Sequence, residues 1–129
     1  MVKDDKFNYS FTVSPSIYLG FIELFKDNNP LHTDKTFAVE KGFSNKVMHG
    51  NILNGFISYF VGELLPIKNV IIQTQEIKYH RPVYLNDELL FEAIIANIYE
   101  SVNTIEFKYN FVNSNAIKVA SGKITIGII

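Results

Sequence analysis

Phe7, Tyr9, Phe11 and Val13 alternate with Asn8, Ser10 and Thr12, the two-residue period of a strand with one face buried. Ser14 and Pro15 then supply an N-cap and a first-turn proline. Ile17, Tyr18, Phe21, Ile22, Leu24 and Phe25 keep helical spacing until Asn29 and Pro30 close that helix. From Thr33 to Lys46 only short periodic pieces survive around Gly42, which predicts a helical turn and a loop. Between Asn51 and Leu65 the apolar residues come in pairs, Ile52/Leu53, Phe56/Ile57, Phe60/Val61 and Leu64/Leu65. Only a helix satisfies this recurrence, and Pro66 stops it. Because its apolar stripe drifts around much of the circumference, this helix is expected at the centre of the protein. The remainder reads as strands, roughly Val70–Tyr79, Glu88–Glu100, Thr104–Asn113 and Ile117–Ile128, with turn residues at Asn86/Asp87 and from Asn113 to Asn115. One buried helix followed by four consecutive strands predicts an α+β fold, an antiparallel sheet wrapped around the helix. The sheet's edges invite pairing with a second copy, so a homodimer or higher homo-oligomer is expected.

Length and composition narrow the classes. A chain of 129 residues with no internal shift in composition reads as one domain, residues 1–129. Twelve Lys plus Arg against 13 Asp plus Glu give no electrostatic reason to hold a polyanion, which argues against nucleic acid as a partner. A hydrophobic content of 47% predicts collapse into a core, not a disordered chain. The absence of Cys removes disulfides, thiol catalysis and Cys-ligated metals and agrees with a reducing cytoplasm. The acidic start around Asp4 and Asp5, with no apolar run after it, does not read as a signal peptide. The longest apolar candidate, Ile52 to Leu65, is broken by Asn54, Ser58, Tyr59 and Glu63, so no membrane span is expected.

Several polar groups invite a chemical reading beside a structural one. Asp27 to His32 reads as a helix C-terminus closed by Asn and Pro; it also reads as a carboxylate and an imidazole converging across a stiffened turn, able to divide acid and base work. Met48-His49-Gly50-Asn51 is a helix start, or a site where free N–H groups beside a glycine meet an oxyanion. Asn51, Gly55, Ser58 and Gly62 recur every four or three residues, one strip of small side chains for close packing against the sheet or a partner, or for a pocket floor. His80-Arg81-Pro82 ends a strand, and Arg81 there can hold a phosphate or acid. A metal held by His32, Asp34 and His49 lacks a recognised ligand spacing, and neither a Gly-x-Ser-x-Gly elbow nor a phosphate loop occurs.

Taken together, Phe25-Lys26-Asp27-Asn28-Asn29-Pro30-Leu31-His32-Thr33-Asp34, Phe37-Ala38, Gly42-Phe43 and Val47-Met48-His49-Gly50 resemble the hydratase motif of the MaoC-like dehydratases and R-specific enoyl-CoA hydratases. The likeness continues through the central helix to Arg81-Pro82-Val83 and Asn86-Asp87, most of the chain. It implies a hotdog fold, a dimer with active sites near the subunit interface, and reversible hydration of a 2-enoyl thioester to an (R)-3-hydroxyacyl thioester. By the same likeness Asp27 and His32 are the catalytic pair and Gly50 donates its N–H to the thioester oxygen. Asn29 orients the pair, Ser58 is a pocket serine, and His49 belongs with them to the substrate-binding set. No cofactor and no metal is implied. The acyl group arrives on coenzyme A or on an acyl carrier protein, and one small domain favours short chains. Two departures stand out: Phe25-Lys26 replace the family's frequent Ser-Gly, and Asn51 replaces a Met or Ala. A hotdog thioesterase is disfavoured because Glu63 is the only acid on the central helix. A non-catalytic acyl-binding subunit is disfavoured because Asp27 and His32 are both present.

Overall fold

The computed structural model describes residues 1–129. Strand β1 (Lys6–Thr12) leads to helix α1 (Pro15–Phe25), whose start is capped as expected: the Ser14 side chain accepts from the Ile17 N–H at 3.3 Å. Two short helices follow, α2 (Pro30–Thr33) and α3 (Lys35–Glu40), then α4 (Asn51–Tyr59) and the strands β2 (Val70–Tyr79), β3 (Glu88–Tyr99), β4 (Thr104–Val112) and β5 (Lys118–Ile128). The five strands form one antiparallel sheet in the order β1-β3-β4-β5-β2. Strand β2 is therefore an edge, bonded only to β5 and showing Ile71 to solvent at 53%.

The sheet wraps α4 with one face of β1, β3, β4 and β5, while β2 adds only the partly buried Val70 and Ile77. Ile105, Phe107, Tyr109 and Phe111 of β4 are all buried, as their alternation predicts. They meet Ile52, Leu53, Phe56 and Ile57 of α4 in one core cluster. The central helix departs from the expected regular helix at its end, where Phe60–Leu64 form a π-helical turn and the Leu65 N–H bonds to the Phe60 carbonyl at 3.0 Å. An i+5 turn aligns Leu65, not Leu64, with Phe60; Leu65 is 2% exposed while Leu64 is only partly covered. Pro66 forces Leu65 into extended backbone and ends the element.

The small-residue strip does not pack into the core. Asn51, Gly55, Ser58 and Gly62 are all exposed, and a Cβ at Gly55 or Gly62 would touch no atom within 4 Å. The sheet packs on the paired apolar positions instead, which turns this strip outward.

Gly122 of β5 serves the sheet differently. The Tyr109 hydroxyl donates to the Glu76 carbonyl at 2.8 Å and accepts from Gln75 Nε2 at 2.8 Å, tying β4 to β2 across β5 where Gly122 has no side chain. Burial pushes the Tyr109 phenol well above its ordinary pKa of 10.0, and burial raises Tyr79 as well. A group raised on folding supports the fold fully below its unfolded value, and that support is lost as pH climbs toward the folded value. The denaturation midpoint is therefore expected to fall above pH 10.0, and Tyr109→Phe should flatten that fall in a pH series of urea unfolding curves.

Candidate active site

The segment leaving α1 is built to aim Asp27 and His32 at each other. Helix α1 ends with Lys26 in the left-handed region, φ 63°, its N–H bonded to the Ile22 carbonyl at 2.8 Å. That conformation suits glycine; in Lys it costs about 1 kcal/mol. Asp27 Oδ1 then accepts from the Asn29 N–H at 3.2 Å, and Asn29 Oδ1 accepts from the Leu31 N–H at 3.0 Å to cap α2, with Pro30 in its first turn. Thr33 Oγ1 donates back to the Asn28 and Asn29 carbonyls at 3.2 Å each. Asn29 thus acts on the turn and does not line the cavity described below.

His32 is held from two sides. The Tyr18 hydroxyl donates to its carbonyl at 2.6 Å, and its Nδ1 lies 2.7 Å from the Val47 carbonyl. A carbonyl only accepts, so Nδ1 carries the hydrogen and Nε2 of the neutral ring is left free. That Nε2 faces Asp27 Oδ2 at 3.8 Å. The gap is too long for a direct hydrogen bond and short enough for one oxygen to sit about 2.8 Å from both groups.

His49 backs this pair. It is 3% exposed, its Nε2 lies 2.9 Å from the Asp27 carbonyl, and its ring stacks on His32 with centroids 4.0 Å apart. Accepting only, the Asp27 carbonyl fixes the hydrogen on Nε2 and leaves the buried Nδ1 as an acceptor with no donor. Phe21 also lies against His49, with ring centroids 4.7 Å apart and a 36° tilt between the planes.

These groups line a cavity of about 550 Å³ that also takes in Gly50, Tyr79, His80 and Arg81. No carbonyl of the chain accepts from the Gly50 N–H, which precedes the first turn of α4. The Tyr79 ring lies against the Gly50 backbone: a Cβ there would stand 2.9 Å from Tyr79 Cε1 and Cζ. Gly50→Ala should therefore push the phenol aside and crowd the free N–H. We expect roughly a 10- to 100-fold loss of kcat for any reaction that places an oxyanion there, read from steady-state kinetics. Arg81 and His80 follow β2 into the same wall, with His80 Nε2 2.7 Å from Ser121 Oγ and Arg81 Nη1 donating to the His80 carbonyl at 3.1 Å.

Not every expected site residue gathers here. Ser58 lies outside the cavity and exposed, because seven residues of helix carry it roughly 10 Å along the axis from Asn51. Asp34 caps α3, accepting from the Phe37 N–H at 3.3 Å, and is not grouped with the histidines. The three residues whose ligating atoms lie within 4.8 Å of one another are Asp27, His32 and His49. His32 Nδ1 and His49 Nε2 are committed to carbonyls, which leaves His32 Nε2, Asp27 Oδ2 and the buried His49 Nδ1 without hydrogen-bond partners, three ligand atoms where a closed zinc site takes four. Tyr79 and Phe21 are wall residues that patterning leaves as ordinary strand and helix positions.

Known proteins resemble this chain in sequence and in fold. An (R)-specific enoyl-CoA hydratase of Aeromonas caviae is 34% identical over 81 residues, 63% of this chain and 60% of that protein. A mitochondrial 3-hydroxyacyl-[acyl-carrier-protein] dehydratase of Arabidopsis thaliana is 28% identical over 109 residues, 82% of this chain and 64% of that one. The chain thus spans less than two thirds of the length of these curated relatives. The solved (R)-hydratase from A. caviae involved in PHA biosynthesis superposes with a TM-score of 0.90 at 23% identity, covering 100% of this chain and 98% of that one, which establishes the hotdog fold. Residues 3–115 match the family described as the MaoC like domain, and the chain belongs to that family.

Proposed function

We propose that this chain catalyses the reversible addition of water to a trans-2-enoyl thioester, giving the (R)-3-hydroxyacyl thioester. The observation that carries the reading is His32 Nε2 facing the Asp27 carboxylate at 3.8 Å in a cavity that also presents the free Gly50 N–H. Asp27 and His32 grip one water between them and take its proton as the oxygen attacks Cβ. The electron pair of the double bond moves to the thioester carbonyl, and the Gly50 N–H and the positive end of α4 meet the resulting enolate oxygen. The pair then returns a proton to Cα on the same face, so hydroxyl and hydrogen add syn and the atoms of one water are accounted for. Dehydration runs the same path backward.

The carrier is coenzyme A or an acyl carrier protein, in keeping with relatives named for each. Arg81 in the cavity wall suits the phosphate end of either carrier. A homodimer or higher homo-oligomer is supported by the unpaired β2 edge with Ile71 exposed. For a thioesterase, Glu63 is poorly placed: it pairs with Lys68 at 4.0 Å on the surface and lies outside the cavity. The deciding assay incubates the protein with crotonyl-CoA and supplies an (R)-specific 3-hydroxyacyl-CoA dehydrogenase. NAD reduction is the expected result, whereas free thiol without hydroxyacyl product would favour the hydrolase.

A further inference from the structure

Resting on the hydratase reading, we infer that Phe21 sets the upper limit of acyl-chain length by closing the catalytic cavity off from a neighbouring apolar groove. The groove holds about 590 Å³ between β1, α1 and α4, and eight of its 13 lining residues are hydrophobic. Its floor includes the stacked rings of Phe11 and Phe56, centroids 4.8 Å apart and 4° from parallel. Gly20 of α1 and Gly55 of α4 line it with no side chain, and a Cβ at either meets nothing within 4 Å, so the space is open. Leu24, 75% exposed, belongs to its rim.

The occupant this surface fits is the distal tail of a linear acyl group. Phe21 lines both spaces, and the start of α4 runs past both, with Asn51 and Leu53 on the cavity and Ile52 and Gly55 on the groove. The ring series His32, His49, Phe21, with centroid steps of 4.0 and 4.7 Å, leads from the acid/base pair to this shared wall. An acyl chain that outgrows the cavity on this side meets Phe21, and apolar surface on the far side offers each further methylene burial in place of water. With the ring in place, short chains are favoured.

The test compares trans-2-enoyl-CoA substrates of four and eight carbons with wild type, Phe21→Ala and Phe21→Leu, reading kcat/KM for each. The expected result is that wild type prefers four carbons and that Phe21→Ala raises the eight-to-four ratio roughly tenfold or more, with Phe21→Leu intermediate. The ratio reports the wall even if loss of stacking on His49 lowers both rates. Gly55→Leu added to Phe21→Ala should refill the groove and bring the ratio back toward wild type. Equal changes for both chain lengths in both Phe21 variants would overturn the inference while leaving the hydratase reading intact. No hydration of either substrate by wild type would remove both. If Leu24→Asp halves the mass in light scattering, the groove is covered by a second copy, and the acyl assignment falls.

Discussion

Asp27→Asn is expected to lower kcat by roughly two to four orders of magnitude while shifting unfolding stability by less than about 0.5 kcal/mol. The separation of the two effects follows from the geometry. Asp27 is half-exposed, and its structural bond, Oδ1 accepting from the Asn29 N–H at 3.2 Å, is one an Asn side-chain oxygen can also make. What Asn cannot supply is a carboxylate opposite His32 Nε2. His32→Ala removes the other half of the grip and also the hydrogen bond to the Val47 carbonyl, so it should cost activity to a similar extent and stability by about 1 kcal/mol. Two groups that hold one water act as a unit, and the double variant should be little slower than either single one. Losses that multiply would mean that the residues work at separate steps.

Gly122→Ala is expected to cost about 3 kcal/mol or more in urea unfolding, the largest effect on stability of any small substitution proposed for this chain. Its Cβ would stand 1.9 Å from the Glu76 carbonyl oxygen and 2.6 Å from the Tyr109 hydroxyl. The carbonyl is backbone and cannot swing aside as a side-chain tip would; β2 must move away from β5, its only partner strand. That motion breaks the Tyr109 bond to Glu76 and displaces Tyr79, where β2 reaches Gly50. Activity should therefore fall along with stability. A variant within about 1 kcal/mol of wild type would show that the close approach at Gly122 is not rigid.

Local pattern carried the strands and the helix starts, because period and capping are properties of neighbouring residues. Val70–Tyr79 coincides with β2, and Ser14 caps α1 through its own side chain. The Asp27 to His32 turn was legible for the same reason: its Asn, Pro and Thr residues bond within six positions of one another. What the pattern left out depends on partners distant in sequence. The strip of Gly55, Ser58 and Gly62 is fixed by helical spacing, but whether sheet or solvent faces it is decided by the competing apolar pairs, and solvent does. The π-helical end reflects the inward pull on Leu65. Tyr79 becomes a wall residue only because β2 comes to lie against Gly50, 29 positions earlier. Gly122 looks like a weak point in a strand until Tyr109 and Glu76 are brought around it.

The most direct test of the central claim follows the enoyl absorbance of crotonyl-CoA with purified wild type and Asp27→Asn side by side. Hydration across the bond saturates it, so the expected result is loss of the band with wild type and a nearly flat trace with Asp27→Asn. Equal loss with both proteins would contradict the role given to Asp27. A flat trace with both, repeated on a crotonyl thioester of acyl carrier protein, would contradict the hydratase reading itself.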